Sequence, residues 1–525
     1  MIGGSLNVVN LLNLPFFTSH GPSLYDATSK LKTFATADPV LLLSIIANTT
    51  IVGYVLSILF SKAELPDVGY HHWLPGSTYY AGARFFVDSR RMVQEGYYKY
   101  PSRVFKIPQW SSWLWIVSGR QLIHELHYLP DDTLSLLHSA KDVLQIPYTM
   151  TTSIHSNPYH FHILRTKLTR YLDHLVVELM DEMTMAFDDI VGHAVAEDWV
   201  AFGALDSSLN IISRTFNRIL VGTSICRDPA YNKISCDFSI NTLVSATIIN
   251  LFPSFLHPIV GRFATSFPST LKSALVHLEP LIEQRKSMTE QFGEEWPDKP
   301  VDVLSWLMEA ATGEEKTTEA LATRVLVVNA ATIQTSSLTF TQALINLAMY
   351  PEYVEPLKKE AEAAIRAHGW TKAGVSQMHL SDSFIKESMR LNSLGSLAFP
   401  RKAMKDFKLS DGTFIPQGAY VTAPFSVHWD EENYKDASRF NGYRFMKEGM
   451  VKTSEKFLSF GHGKHIWPGR FVVSYLLKAL MAHIVMNYDV KLAEEGSRPP
   501  DMWFGYVSSP NRTAKVMFRR RTETN

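Results

Sequence analysis

The chain has 525 residues, and its 51 lysine and arginine residues balance its 51 aspartate and glutamate residues, giving a formal net charge of zero. A neutral balance excludes the strongly basic surface by which nucleic-acid-binding proteins hold their partner. The chain is 46% hydrophobic and 12% aromatic, which is enough for a large core and excludes a mainly disordered protein. Cys226 and Cys236 are too few for a disulfide-stapled scaffold and match no zinc spacing, so we expect inert thiols.

A long uncharged segment, PVLLLSIIANTTIVGYVLSILF, lies near the start of the chain at 39–60. It is long enough to cross a bilayer as a helix, whereas a cleaved signal would have a shorter apolar stretch nearer to the first residue. The balanced lysines on either side do not set its orientation. We therefore predict an N-terminal segment at 1–38, a transmembrane anchor at 39–60, a proline-rich hinge at 61–75 and a folded domain at 76–525.

Helical periodicity dominates from about residue 134 to residue 347. The stretch RTKLTRYLDHLVVELMDEMTMAFDDIV, at 165–191, repeats apolar residues at steps of three and four. A long helix is predicted for 314–350, and it is apolar on nearly every face, which indicates a central, buried position. Its polar cluster, Asn329 and 332–337, is the exception to this pattern.

The pattern changes beyond residue 400. FKLSDGTFIPQGAYVTAP, at 407–424, has short β-prone runs around an Asp-Gly pair, which predicts a hairpin. A last helix is predicted for 468–487, and RTAKVMFRRR near the end of the chain predicts a strand. The sequence thus predicts a mainly α architecture with a small β part, in one contiguous domain after the anchor.

FIKESMR, at 384–390, places Glu387 and Arg390 three residues apart, on one face of a helix. An exposed pair of this kind contributes less than about 1 kcal/mol to stability. The apolar neighbours favour burial, and a buried pair needs further partners to offset desolvation. Arg444, in FNGYRF, is a candidate for that third member.

The segment FLSFGHGKHIWPGRF, at 457–471, predicts a loop that holds a ligand against a helix. Its glycines permit close approach of the backbone to a flat group. We expect the following helix to begin at Pro468 and to point its N-terminus at residue 467, which suits an anionic ligand such as a thiolate. Residue 467 is instead Trp467, and an indole N–H is a donor without a lone pair for a metal.

Together these motifs resemble the cytochrome P450 superfamily, in particular its fungal secondary-metabolism branch, whose loop reads like FGHGRHxCPGRF. The resemblance covers almost everything after the anchor. NPYHFHILRTKLTRYL is similar to the region of helix C, AATIQTSS to the oxygen-activation segment of helix I, and ASRFNGYRF to the stretch that supplies the third member of the Glu-Arg-Arg cluster. The resemblance implies a cytochrome P450 fold in which Glu387, Arg390 and Arg444 form that structural cluster.

The resemblance also implies a haem, but two residues depart from the family pattern. The family's loop cysteine binds the haem iron as a thiolate. Trp467 stands at that position, where we do not expect it to coordinate. Gln334 replaces the acid before Thr335, and a carboxamide can orient water but cannot relay a proton by ionising. The candidate catalytic residues are Asn329, Gln334 and Thr335.

Other implied contacts persist. Arg165, Arg401 and His465 match residues that contact the haem propionates, so a haem without sulfur ligation stays open, although the missing cysteine makes it doubtful. No other metal site is predicted. The implied partners are a hydrophobic small-molecule substrate, a membrane and a cytochrome P450 reductase. The implied location is the endoplasmic reticulum membrane, with a single span and a cytosolic domain.

Three functions remain open from the sequence. The favoured one is a non-oxidative cyclisation, cycloaddition or isomerisation of a lipophilic terpenoid or polyketide intermediate, for which a preorganised pocket and a few polar donors suffice. The second is a haem-dependent monooxygenase that hydroxylates a terpenoid-like substrate through unusual iron ligation. The third is a non-catalytic scaffold or pseudoenzyme that holds the members of a pathway together.

Overall fold

The computed structural model describes five segments of the chain: 66–69, 77–109, 112–192, 198–494 and 496–521. Every described residue belongs to one compact unit. The predicted segments 1–38 and 39–60 and most of the predicted hinge lie outside the described residues, so the anchor stays a prediction. Within the described part of the chain, no helix is both long enough and apolar enough to cross a membrane.

Helices make up most of the described residues, as the periodicity predicts. The first nine, in chain order, are α1 (Ser77–Lys99), α2 (Arg120–Tyr128), α3 (Leu136–Val143), α4 (Ile146–Thr149), α5 (Ser153–Ser156), α6 (Tyr159–Arg170), α7 (Leu172–Ile190), α8 (Ala204–Val221) and α9 (Thr223–Cys226). The others described are α10 (Pro229–Asn250), α11 (His257–Ala264), α12 (Phe267–Phe292), α13 (Val303–Ala310), α14 (Thr318–Met349), α15 (Val354–His368), α16 (Lys372–Ser376), α17 (His379–Leu391) and α18 (Arg470–Asn487).

The strands are short and form small sheets. They are β1 (Val104–Pro108), β2 (Trp113–Val117), β3 (Leu134–Ser135), β4 (Val200–Gly203), β5 (Arg401–Ala403), β6 (Phe407–Lys408), β7 (Phe414–Ile415), β8 (Tyr420–Thr422), β9 (Tyr488–Leu492), β10 (Met502–Phe504), β11 (Val507–Ser509) and β12 (Lys515–Arg520). One sheet has the order β1-β2-β8-β5-β3 and another the order β4-β12-β9. The predicted hairpin is present as β6 and β7, and Gly412 in its turn has a φ of 86°, which glycine adopts without strain.

Helix α14 is the centre of the main hydrophobic core. It packs against α8, α10, α12 and α17, and residues around its whole circumference are buried. This position follows from its sequence, because a helix that is apolar on nearly every face is stable only when neighbours cover all of it. The helix begins at Thr318, later than the predicted 314, because 313–316 form a 3₁₀ turn and the Thr317 side chain caps the α-helix.

A buried charge cluster ties α17 to the segment that leads into the 457–471 loop. The side chains of Glu387 and Arg390 are fully buried. Nε and Nη2 of Arg390 each donate a hydrogen bond to one carboxylate oxygen of Glu387, both at 2.8 Å. Arg444 Nε lies 3.0 and 3.1 Å from the two Glu387 oxygens. Arg390 also donates to the backbone carbonyls of His428 and Ala437. One carboxylate thus joins two guanidinium groups, and through them it holds the loop segment to the helix.

We expect Glu387→Gln to lower the free energy of unfolding by about 3–5 kcal/mol, because it leaves Arg390 buried without its counter-charge. Urea denaturation followed by far-UV circular dichroism measures this change. Glu309→Gln is the matched control, since Glu309 also pairs with two basic residues, both lysines, but its own side chain is 40% exposed. The control should change stability by less than about 1 kcal/mol. Equal effects of the two substitutions would contradict a structural role for the cluster.

Candidate functional site

The start of the 457–471 loop is anchored by His428. Its side chain is fully buried between the rings of Phe425 and Phe457, with ring centroids 5.0 and 5.4 Å away. Nε2 of His428 accepts a hydrogen bond from the backbone N–H of Leu458 at 2.9 Å. Nδ1 lies 2.8 Å from the hydroxyl of Ser393. Because Nε2 must accept, the network requires a neutral imidazole that carries its proton on Nδ1.

The tip of the loop lies directly on α2. Gly461 and Gly463 have φ values of 73° and 69°, in the left-handed region that glycine adopts most easily. A Cβ atom at position 463 would lie 2.5 Å from the backbone oxygen of His127 on α2. The glycine pattern in the sequence therefore has two physical causes here, a tight turn and a close backbone approach.

Trp467 is packed between Phe460 and the residue that caps α18. Its backbone N–H donates to the carbonyl of Phe460 at 2.9 Å, and the two rings lie nearly parallel with centroids 6.2 Å apart. A Cβ at Gly469 would lie 2.7 Å from the indole Cζ2. Helix α18 starts at Arg470, two residues later than predicted, since Pro468 and Gly469 form a turn beneath the indole.

A cavity of about 170 Å³ lies between α14, α17 and the loop. It is lined by Ala331, Thr335, Ser336, Thr339, Gln342, Met389, Asn392, Leu394, Phe425, Ser459, Phe460, Trp467 and Val473. Pockets that enclose small molecules usually measure about 300–1,000 Å³. The indole of Trp467 and the ring of Phe460 form part of the wall of this space.

Two serine hydroxyls in the cavity lack partners among the described residues. Ser336 is 2% exposed, and neither its Oγ nor the Oγ of Ser459 makes a hydrogen bond there. The hydroxyl of Thr335 is occupied, because it donates to the carbonyl of Ala331 at 3.1 Å. Sequence reasoning singled out neither serine as a functional residue, although both lie within the segments that it quoted. Only their burial distinguishes them from other serines, and a local pattern does not show burial.

The three candidate catalytic residues occupy different surroundings. Thr335 lines the cavity, whereas Gln334 does not, and the Oε1 of Gln334 is buried without a partner among the described residues. Asn329 is fully buried on the face of α14 that meets α10, where its Nδ2 lies 3.2 Å from Ser235 Oγ and 3.4 Å from the Tyr231 hydroxyl. The structure therefore brings only Thr335 to the cavity wall, and the catalytic roles of all three stay predictions.

Arg165, Arg401 and His465 gather around the loop, as the resemblance implies. Arg401 is 5% exposed and donates to a backbone carbonyl of α2 at 2.9 Å, and burial lowers its pKa to about 10. His465 Nε2 lies 2.6 Å from a carboxylate oxygen of Asp131. Burial, and then the charge of Arg401, lower the pKa of His465. Arg165 reaches the backbone carbonyl of Lys464 at 3.5 Å. The guanidinium groups of Arg401 and Arg165 thus place positive charge beside the loop, whereas the lowered pKa of His465 leaves its imidazole neutral at pH 7.

The residues present do not fit a thiolate-ligated haem. Among the described residues that line the cavity there is no cysteine, histidine or carboxylate, and the sulfur there is the thioether of Met389. Both cysteines are free, with Cys226 on α9 and Cys236 on α10, and neither lines the cavity. The basic cluster could hold carboxylate groups, but the cavity offers no thiolate for an iron ion.

The anchoring of the loop by His428 predicts a loss of stability in acid. Burial lowers the pKa of His428 to about 3, whereas imidazole in an unfolded chain titrates near pH 6.5. The unfolded chain therefore binds more protons than the folded chain between these values, so the free energy of unfolding falls as the pH decreases below about 6.5. His428→Gln should reduce this slope by up to about 1.4 kcal/mol per pH unit.

Urea denaturation at several pH values between 5 and 7 measures that slope. His379→Gln, at an exposed histidine, is the matched control and should leave the slope as in the native chain. An identical slope in the native chain and in His428→Gln would show that the imidazole does not couple the loop to pH.

Comparison with known proteins identifies the family. The sequence profile of the family described as Cytochrome P450 matches residues 153–518. Cytochrome P450 monooxygenase 151 of Postia placenta is 38% identical over 488 residues, which are 89% of this chain and 97% of that relative. Cytochrome P450 monooxygenase CYP512U6 of Ganoderma lucidum is 31% identical over 472 residues, 88% of this chain and 92% of that relative.

A solved structure shares the fold. The structure described as retinoic acid bound cyanobacterial CYP120A1 superposes with a TM-score of 0.65 over 87% of this chain and 99% of that chain. The sequence identity of 16% limits this likeness to the fold. The family profile spans most of the chain, and the two fungal relatives align with this chain over nearly their full length. The predicted resemblance is therefore confirmed, and the chain belongs to the cytochrome P450 family.

Proposed function

We propose that this chain catalyses a non-oxidative reaction, a cyclisation, cycloaddition or isomerisation of a lipophilic terpenoid or polyketide intermediate, at the cavity beside α14. The cavity of about 170 Å³ must widen to admit such a molecule, since pockets for small molecules usually measure about 300–1,000 Å³. The observation that supports this proposal is the indole of Trp467 in the cavity wall, at the position where the resemblance places the thiolate ligand. An indole has no lone pair for a metal, and the described lining supplies no thiolate in its place.

The cytochrome P450 family has a common chemistry that depends on its thiolate ligand. Cytochrome P450 relatives are generally haem-dependent monooxygenases, and they normally work with a reductase and lipophilic substrates. Their chemistry depends on a thiolate that pushes electron density through the iron and favours O–O cleavage. Without that ligand, the fold keeps the cavity beside α14 and lacks the group that activates oxygen.

The remaining groups suit a reaction driven by shape. Holding a flexible substrate in its reactive conformer can supply up to about 7–11 kcal/mol of the barrier. The hydroxyls of Ser336 and Ser459 have no partner among the residues that the structure describes, so each can donate a hydrogen bond to a carbonyl or hydroxyl oxygen of the substrate. Such donors polarise and orient that oxygen more strongly in a buried site than in water. These two serines and Thr335 would therefore orient the substrate.

A second candidate function, haem-dependent monooxygenation with unusual iron ligation, is favoured by the basic cluster. Arg401, His465 and Arg165 lie together beside the loop, where the resemblance implies that they contact haem propionates. The names of the curated relatives, monooxygenases in both reported cases, point in the same direction. The cofactor content of the native chain separates the two candidates.

We also propose that the apolar segment 39–60 anchors the protein in the endoplasmic reticulum membrane with the large domain in the cytosol. The uncharged, apolar sequence of that segment supports the anchor, whereas the endoplasmic reticulum and the cytosolic side rest on the family resemblance. Deletion of 1–60 should move the protein from the membrane fraction to the soluble fraction, and unchanged fractionation would contradict a role for the anchor.

The purified full-length chain should contain far less than one haem per chain and should lack the thiolate-type absorbance band after reduction and addition of CO. Trp467→Cys should increase both the haem content and that band, because it supplies the thiolate and removes the indole from the cavity wall. Trp467→Phe is the matched control, which shortens the side chain without supplying sulfur. Stoichiometric haem with a thiolate-type band in the native chain would overturn the proposal in favour of monooxygenation.

Turnover of lipophilic intermediates should proceed without NADPH or O₂ and should give products with the mass of the substrate. Ser336→Ala and Ser459→Ala should each lower kcat about tenfold or more, equivalent to about 1.4 kcal/mol of lost transition-state stabilisation. Ser139→Ala is the matched control, because the buried Oγ of Ser139 also has no hydrogen-bond partner among the described residues but does not line the cavity. Product formation that requires NADPH and O₂ would count against the proposal.

A further inference from the structure

Three potential metal ligands meet on the surface where α2 contacts the loop region. Nδ1 of His124 lies 2.7 Å from Oε1 of Glu455, and Nε2 of His462 lies 3.3 Å from the same oxygen. All three ligand atoms lie within 4.8 Å of one another. His124 belongs to α2, and the other two residues belong to the chain segment that ends in the loop. This group has no role in the reaction proposed above.

Neighbouring side chains contact both imidazoles of this group. The hydroxyl of Thr453 lies 3.1 Å from Nδ1 of His462, which leaves Nε2 on the side of Glu455. The ring of Tyr128 packs against both imidazoles, with centroid distances of 4.6 Å to His124 and 6.0 Å to His462. A hydrogen bond to the distal nitrogen is the usual way in which proteins fix a metal-binding histidine.

The donor types select among metals. Two imidazole nitrogens and one carboxylate oxygen suit Zn²⁺, whereas Ca²⁺ and Mg²⁺ prefer ligands that are all oxygen. With bonds of 2.0–2.1 Å, tetrahedral Zn²⁺ holds its ligand atoms roughly 3.3 Å apart. The 3.3 Å separation therefore matches what the ion requires, and the 2.7 Å pair has to open by about 0.6 Å to hold it. The two imidazole nitrogens lie within 4.8 Å of each other.

The site is also open to solvent on one side. The side chain of His124 is 59% exposed, while those of Glu455 and His462 are 26% and 12% exposed. A metal ion can enter from that side, and a water molecule can complete a tetrahedral set of four ligands. The carboxylate balances one of the two positive charges of the ion. Solvent on the open side of the site screens the remaining charge.

We propose that His124, Glu455 and His462 form a zinc-binding site that fixes the loop to α2. Gly463, which follows His462, lies against the carbonyl of His127 on the same helix. A bound ion would therefore strengthen a contact that the fold already makes. Since the loop continues to Trp467, the ion would also hold the wall of the cavity in place.

The experiment uses the full-length protein, freed of metal with a chelator and then titrated with ZnCl₂ by isothermal calorimetry. Elemental analysis after gel filtration should find one zinc ion per chain. His124→Gln and Glu455→Gln should each weaken binding by at least about 100-fold, and Thr453→Val by about 10- to 100-fold, the range found for residues that orient a ligand. Zinc should also raise Tm of the native chain.

His174→Gln is the matched control, because His174 also pairs with a carboxylate, Glu178 at 3.3 Å, on an exposed helix surface but belongs to no described group of three ligands. It should bind zinc like the native chain. Circular dichroism and metal-free Tm show whether His124→Gln folds normally, as its exposure leads us to expect. Absence of stoichiometric zinc from the native chain would overturn the proposal, as would native affinity in His124→Gln or equally tight binding of Mg²⁺.

Discussion

The carboxylate of Glu387 is the constraint on which the geometry of the site depends. It is buried between Arg390 and Arg444, so the two cations can stay in the interior only while the carboxylate is there. Arg390 in turn holds the carbonyl of His428, whose imidazole binds the first residues of the loop. The loop that carries Trp467 is therefore held in place by an ion cluster in another part of the chain. This cluster stabilises the loop whatever reaction takes place beside it.

The loop keeps the backbone features that the resemblance implies and carries Trp467 at the position of the family's cysteine. The charge cluster, the loop glycines and the basic residues beside the loop are those that the resemblance implies, and they explain why the chain keeps the cytochrome P450 architecture. The indole of Trp467 forms part of the cavity wall, and no thiolate lines the described wall. Two serine hydroxyls without described partners give that cavity a capacity for hydrogen bonding that does not depend on iron.

Local patterns predict much of the fold and less of the site. Helix α14 and the β6–β7 hairpin follow from periodicity and an Asp-Gly turn, and the spacing of Glu387 and Arg390 places them on one face. Helical geometry also separates Asn329 from Thr335, because six residues turn the helix by about 240°. By contrast, His124 and Glu455 are 331 residues apart, and no local pattern reports such a contact or the burial of Ser336.

Gly469 has a consequence for the history of the loop. The bare Cα at this position leaves the space in which the six-membered part of the indole lies. The same glycine is part of the family's loop pattern, where the neighbouring residue is a small cysteine. An aromatic residue could therefore enter position 467 through one codon change, with no second substitution to relieve a clash at 469.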